Sequence, residues 1–142
     1  MALRFWASSE SYKLSGPPSE NVRRSVEPYL NRKFNESNLA SLDAELRYVP
    51  IIMPEGMRER YPARSKLHKK DRVYVCAPQL NYDVFVQGMF QDQLREYLRG
   101  IAESAEHLAG LGASPPQIED FNKIMETATE RILVERPDQT RH

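Results

Sequence analysis

Val73-Tyr74-Val75-Cys76-Ala77-Pro78-Gln79-Leu80-Asn81-Tyr82-Asp83-Val84-Phe85 is the stretch on which the fold turns. Its first five residues are apolar, mostly β-branched or aromatic, and a proline closes them, which reads as a strand. After Asn81 the period becomes helical. Phe85 and Met89 lead into Leu94, Tyr97, Leu98, Ile101, Ala105 and Leu108, while Arg95, Glu96, Arg99, Glu103 and Glu106 take the opposite side. A strand leading into a long amphipathic helix is the grammar of a sheet covered by helices.

Downstream, Gly110 and Gly112 stop that helix, and Ser114-Pro115 supplies an N-cap with proline at the first helical position. Ile118, Phe121, Ile124, Met125, Ala128, Ile132 and Leu133 carry the pattern toward Pro137, and residues 136–142 are expected to fray. The linker from Gly110 to Ser114 is short enough to make the two helices antiparallel neighbours.

Upstream, Leu46, Tyr48, Val49, Ile51, Ile52 and Met53 form an apolar run of strand length with Pro50 inside it. Proline has no amide hydrogen to give a ladder, so this strand is expected at an edge or a bulge. About twenty residues separate it from Val73, more than an ordinary hairpin connection, and they are expected to form a long loop. Farther back, Gly16-Pro17-Pro18 breaks the chain. Ser19 is then a candidate N-cap for a helix on Val22, Val26, Tyr29, Leu30 and Phe34, with Pro28 expected to kink or divide it and Asn35 to Ser41 as loop. Leu3, Phe5 and Ala7 alternate with Arg4, Trp6 and Ser8, a first strand. The order is therefore β-α-β-β-α-α: an α+β domain whose small, mainly antiparallel sheet is covered on one face by helices.

At 142 residues, 40% hydrophobic and 28% charged, the chain has the size and composition of one folded domain over 1–142. Its richest apolar stretch, Val84 to Phe90, is broken by Gln87 and far too short to span a bilayer, so no membrane partner is expected. Residues 1–8 lack the apolar core of a secretory signal, which predicts a cytoplasmic protein. The single cysteine, Cys76, offers neither an internal disulfide nor a zinc cluster.

Strong catalytic motifs are missing: there is no glycine-rich phosphate loop, HExxH, CxxC or GxSxG. Cys76 with His68 is a conceivable nucleophile and base. A small apolar residue in a buried strand and a solvated histidine in a basic loop fit the spacing better. Glu10, Glu20, Glu27 and Glu45 read as solvated carboxylates rather than an acid–base pair. His68, His107 and His142 lie too far apart in sequence to suggest a metal site. Neither an enzyme nor a cofactor is expected.

Twenty basic and twenty acidic residues balance overall, but not locally. From Arg58 to Arg72 seven basic residues face two acidic ones, whereas Asp83 to His142 holds eleven acidic and six basic. The segment MRERYPARSKLHKKDR asks for a partner. Arginine offers a planar fork, lysine a mobile charge, and Tyr61 a surface that stacks. Arg58, Arg60, Tyr61, Arg64, Lys66, Lys69 and Lys70 are thus the candidate partner-binding residues. A nucleic-acid-binding or regulatory module using the loop 58–72 is the alternative, set against a pI near 6.8 and the absence of any reader motif. The acidic helices, with Asp92, Glu96, Glu103, Glu106, Glu119, Asp120, Glu126 and Glu130, are a second candidate face.

Phe5-Trp6-Ala7-Ser8-Ser9-Glu10, the helix segment Val22-Arg23-Arg24-Ser25-Val26-Glu27, and Glu59-Arg60-Tyr61 with Lys66 and Lys70-Asp71-Arg72-Val73-Tyr74-Val75 before Asn81-Tyr82-Asp83-Val84-Phe85 resemble one family of immunity proteins. It is the group numbered forty-four among small cytoplasmic bacterial proteins of polymorphic-toxin and contact-dependent growth inhibition systems. The resemblance runs over roughly residues 3 to 105. It implies a non-catalytic inhibitor that binds the C-terminal domain of a cognate toxin and protects the producing cell. It carries no site residues across, so the basic residues above stand on composition.

Overall fold

The computed structural model describes residues 2–8, 16–60 and 62–135, excepting the side chains of residues 16–19 and 58. The expected tail, 136–142, lies outside that set.

Four strands, β1 (Arg4–Ala7), β2 (Glu45–Tyr48), β3 (Lys66–His68) and β4 (Val73–Cys76), form one sheet in the order β1-β2-β4-β3. β1 pairs parallel with β2 and β2 with β4; only β3 runs antiparallel, against β4. The α+β class holds, but the sheet is mixed and not mainly antiparallel. The reason is the helix between the first two strands. α1 (Gly16–Asn35) makes β1-α1-β2 a crossover unit, which returns the chain in the same direction.

The stripe read for α1 is the buried one: Val22, Val26, Tyr29, Leu30 and Phe34 all pack inside. The helix starts at Gly16, before the expected Ser19, and runs unbroken through Pro28. Pro28 lies on the exposed side, where water can satisfy the carbonyl freed by the missing amide. A short 3₁₀ turn, Asn38–Ser41, replaces the loop expected there, capped by the Ser37 hydroxyl accepting from the Leu39 amide.

β2 ends at Tyr48 and is central, not an edge or bulge; bonds toward β4 continue from the Val49 and Ile51 amides, and Pro50 falls between them, past the last bond from the β1 side at Tyr48. The run was longer than the strand because Ile51 and Met53 pack in a separate small cluster with Ala77, Val49 and Met57. The predicted long loop is largely ordered. It contains a 3₁₀ turn, Glu55–Arg60, and β3, an element too short and too charged to register as a strand in the sequence.

The long helix predicted after Asn81 is two helices, α2 (Tyr82–Gln87) and α3 (Phe90–Ala102), followed by a 3₁₀ stretch, Glu103–Leu111. Gly88 and Met89 interrupt it, and Met89, placed on the apolar stripe by spacing, is 70% exposed. Gly112 ends the 3₁₀ stretch in the left-handed region at φ 94°, as a terminating glycine should. α4 (Pro115–Glu135) begins with a capping box. The Ser114 hydroxyl accepts from the Gln117 amide, and the Gln117 side-chain oxygen accepts from the Ser114 amide at 2.8 Å. Gln117 also donates to Asn38 O and Ser41 Oγ, tying α4 to the turn after α1.

Phe5, Ala7, Leu46, Tyr48, Tyr74 and Cys76 project from one sheet face into the core with the buried residues of α1, α3 and α4. Tyr48 donates to Tyr97 O at 2.8 Å and stacks on the Tyr97 ring, joining the central strand to α3. Gly100 makes that approach possible, since a Cβ there would stand 2.2 Å from the Tyr48 hydroxyl.

Candidate partner-binding surface

Side chains alternate across a strand, so the pairing registers fix what the other face of the sheet carries. One rung reads Trp6, Arg47, Val75, Lys66; the next reads Arg4, Glu45, Val73, His68. Beyond the first, Arg64 donates its amide to Ala77 O and extends the β3–β4 ladder. There Ala77 is covered by Met57 and its neighbours. The two open rungs have no helix above them among the described elements, because α1, α3 and α4 all pack on the opposite face.

The seven residues singled out from composition do not converge on one pocket. Arg60 closes the 3₁₀ turn at the C-terminal end of the parallel strands, Arg64 and Lys66 follow the β3 edge, and Lys69 and Lys70 sit in the turn that joins β3 to β4. From Arg64 to Lys69 an extended chain covers about 17 Å, so the segment is a basic ribbon along one edge. The Tyr61 ring and the Arg58 side chain lie outside the described residues. Arg72 closes the β3–β4 turn at φ 55°.

Among the described residues, Arg60, Arg64, Lys66, Lys69 and Lys70 form no ion pair, and all five are exposed. None of the five pairs with a described carboxylate of the acidic helices. Those helices are only partly neutralised from within. Arg99 sits 2.8 Å from both Glu96 and Glu103, which raise its pKa; Lys123 holds Glu119, and Arg95 lies near Asp92. Glu96 also accepts the Asn81 amide, and Asp120 accepts that of Asn38. Exposed pairs of this kind contribute only ~0–1 kcal/mol each, but they reduce the charge the helical face offers to a partner.

Cys76 and His68 do not meet. The register places His68 opposite Val73, three residues along the strand from Cys76. The thiol is buried against α3, donates to Gly100 O at 3.3 Å, and is pushed up to about 11 by desolvation. A neutral, enclosed thiol is a packing group. The cleft between α1 and α4, about 490 Å³, is lined by Arg24, Tyr29, Arg32 and Glu135 among others; its described lining includes neither residue, nor any of the seven partner-binding candidates. No group of three or more His, Cys, Asp or Glu residues among those described is placed to hold a metal ion. No helix among them is long and apolar enough to cross a membrane.

Sequence reasoning missed Arg4, Trp6 and Arg47, which share the uncovered face with Lys66. A signal existed for Trp6: it is an aromatic residue on the polar phase of an alternating strand. Arg47 carried none, since the face it shares depends on a strand order that the sequence does not spell out.

A model of a protein family described as immunity protein 44 matches residues 3–131. No curated protein and no solved structure matches the chain.

Proposed function

The chain belongs to the immunity protein 44 family, and from that membership we propose that it neutralises a cognate bacterial toxin by binding the toxin's C-terminal domain, without catalysis, in the cytoplasm of the producing cell. The observation that carries the reading is the row of exposed cations at Arg60, Arg64, Lys66, Lys69 and Lys70 along the β3 edge, which form no ion pair among the described residues. Arg58 and Tyr61 belong to the same segment. Such a row attracts an acidic partner and speeds encounter, while a few well-packed anchors supply most of the affinity.

The same row favours a second reading, a nucleic-acid-binding module. The two differ in their response to salt. Binding to a polyphosphate falls steeply with ionic strength because each neutralised phosphate releases counterions, whereas an interface with packed anchors declines far less.

Co-expression tests the first reading. The C-terminal domain of the protein encoded immediately upstream is produced in a bacterial host, with and without this chain. Restored growth together with a co-purifying complex is the expected result. Toxicity that the chain fails to relieve, or duplex DNA retained in place of a protein partner, contradicts it.

A further inference from the structure

Trp6 breaks the rule its strand otherwise obeys. Phe5 and Ala7 are buried, Arg4 is exposed as the alternation demands, and the indole, on the same face as Arg4, is 47% exposed. The register sets it beside Arg47, then Val75, then Lys66, with Val73 on the adjoining rung. The indole and the half-buried Val75, with Arg47 between them, therefore make a small interrupted apolar patch on this face, while Val73 is buried. Arg4, Arg47, Arg64 and Lys66 surround it, against one carboxylate from these strands, Glu45, which lies 2.9 Å from Arg47. An apolar centre with an aromatic anchor and a charged rim is the anatomy of a protein interface, in which tryptophan and arginine dominate the affinity.

In two other grooves the lining cations are already paired, although Val86 and Met89 beside one of them are 60% and 70% exposed. In the α1–α4 cleft Arg24 and Arg32 are held by Glu20 and Glu135. In the groove beside α2 and α3, Arg95 and Arg99 lie near Asp92 and Glu96.

We infer that the uncovered sheet face is where the toxin docks, with Trp6 as the anchor and an acidic surface of the toxin domain as the occupant. The inference rests on the immunity reading and adds the face and its centre. Charge selects the occupant: Arg4, Arg64 and Lys66, beside the Arg47–Glu45 pair, call for carboxylates. A second copy of this chain is a poorer complement, because half of the acids named on its helical face, Asp92, Glu96, Glu103 and Glu119, are already engaged with Arg95, Arg99 and Lys123.

The test is calorimetric titration of the full chain with the purified C-terminal domain of the protein encoded upstream. Trp6→Ala is expected to weaken binding by about 30-fold or more, as hot-spot truncations do, with an unchanged circular dichroism spectrum and melting temperature. Trp6→Phe restores most of the affinity, Lys66→Glu weakens it about tenfold or more, and Glu103→Lys leaves it unchanged. If the wild-type chain binds and Trp6→Ala binds within twofold of it, the docking face is wrong while the immunity reading stands. If the wild-type chain does not bind, the reading fails and the inference with it. A concentration-dependent dimer in sedimentation that Trp6→Ala abolishes assigns the face to a second copy and overturns the proposal.

Discussion

At one edge of the sheet, β1 turns its outward backbone groups to α1. The Asn31 side-chain amide accepts from the Phe5 amide at 2.8 Å and donates to Phe5 O at 2.9 Å, and Glu27 accepts from the Ala7 amide at 3.1 Å. A side chain here takes the place of a fifth strand. At the other edge, Lys66, Leu67 and His68 of β3 meet no such substitute among the described residues. Only Leu67 is anchored, lying where a Cβ on Gly110 would stand 2.5 Å from it. Open edges invite pairing with other chains, and a short edge carrying lysine resists the indiscriminate kind. The first edge is committed to the fold, and the second is left for a partner whose charge suits it.

Breaking the sealed edge has the largest expected effect. Asn31→Ala strands a donor and an acceptor on Phe5, and urea titration should show a loss of about 2–4 kcal/mol of stability, with affinity per folded molecule unchanged. If Asn31→Ala instead abolishes binding in a fully folded protein, the two edges are not divided as described. Reversing the open edge gives the complementary result. Arg60→Glu with Arg64→Glu should leave stability within ~0.5 kcal/mol and lower toxin affinity about 100-fold, measured by calorimetry. The corresponding reversal of Glu103 and Glu106 to lysine should leave the affinity unchanged.

The strands between the edges sharpen the contrast through pH. Burial raises the Cys76 thiol to about 11 from 9.0, and the hydroxyls of Tyr48 and Tyr97 are raised as well. Groups held neutral in the fold ionise first when it unfolds, so their contribution is complete below pH 9 and is lost as pH rises. Thermal melts should lose about 1.4 kcal/mol per pH unit from the thiol alone between 9 and 11. In the same range the thiol should stay inert to alkylating reagents until the protein unfolds. Smallest of all, Leu67→Ala should cost about 1–2 kcal/mol while loosening β3, read as faster amide exchange at 66–68 and not in β1.

The sealed side was legible in the sequence and the open side was not. Helical spacing located the apolar stripes of α1, α3 and α4 because each buries a continuous face, and Gly112 marks the end of the 3₁₀ stretch after α3 and Ser114-Pro115 the start of α4 through backbone chemistry that few other residues satisfy. β3 escaped because three residues show no period, and because lysine and histidine are what an exposed edge strand carries. The parallel pairing escaped for a different reason. Strand direction follows from how α1 crosses over, and a local pattern does not encode it. Composition found the cations of the ribbon, but Trp6 and Arg47 join them only through the order β1-β2-β4-β3.

Hydrogen–deuterium exchange on the chain alone and in complex with the upstream-encoded toxin domain tests the central claim most directly. Docking on the open edge and uncovered face predicts slowed exchange across 62–70, with α4 unchanged. Protection confined to 103–135, with 62–70 exchanging as in the free chain, would contradict it and move the interface to the helices.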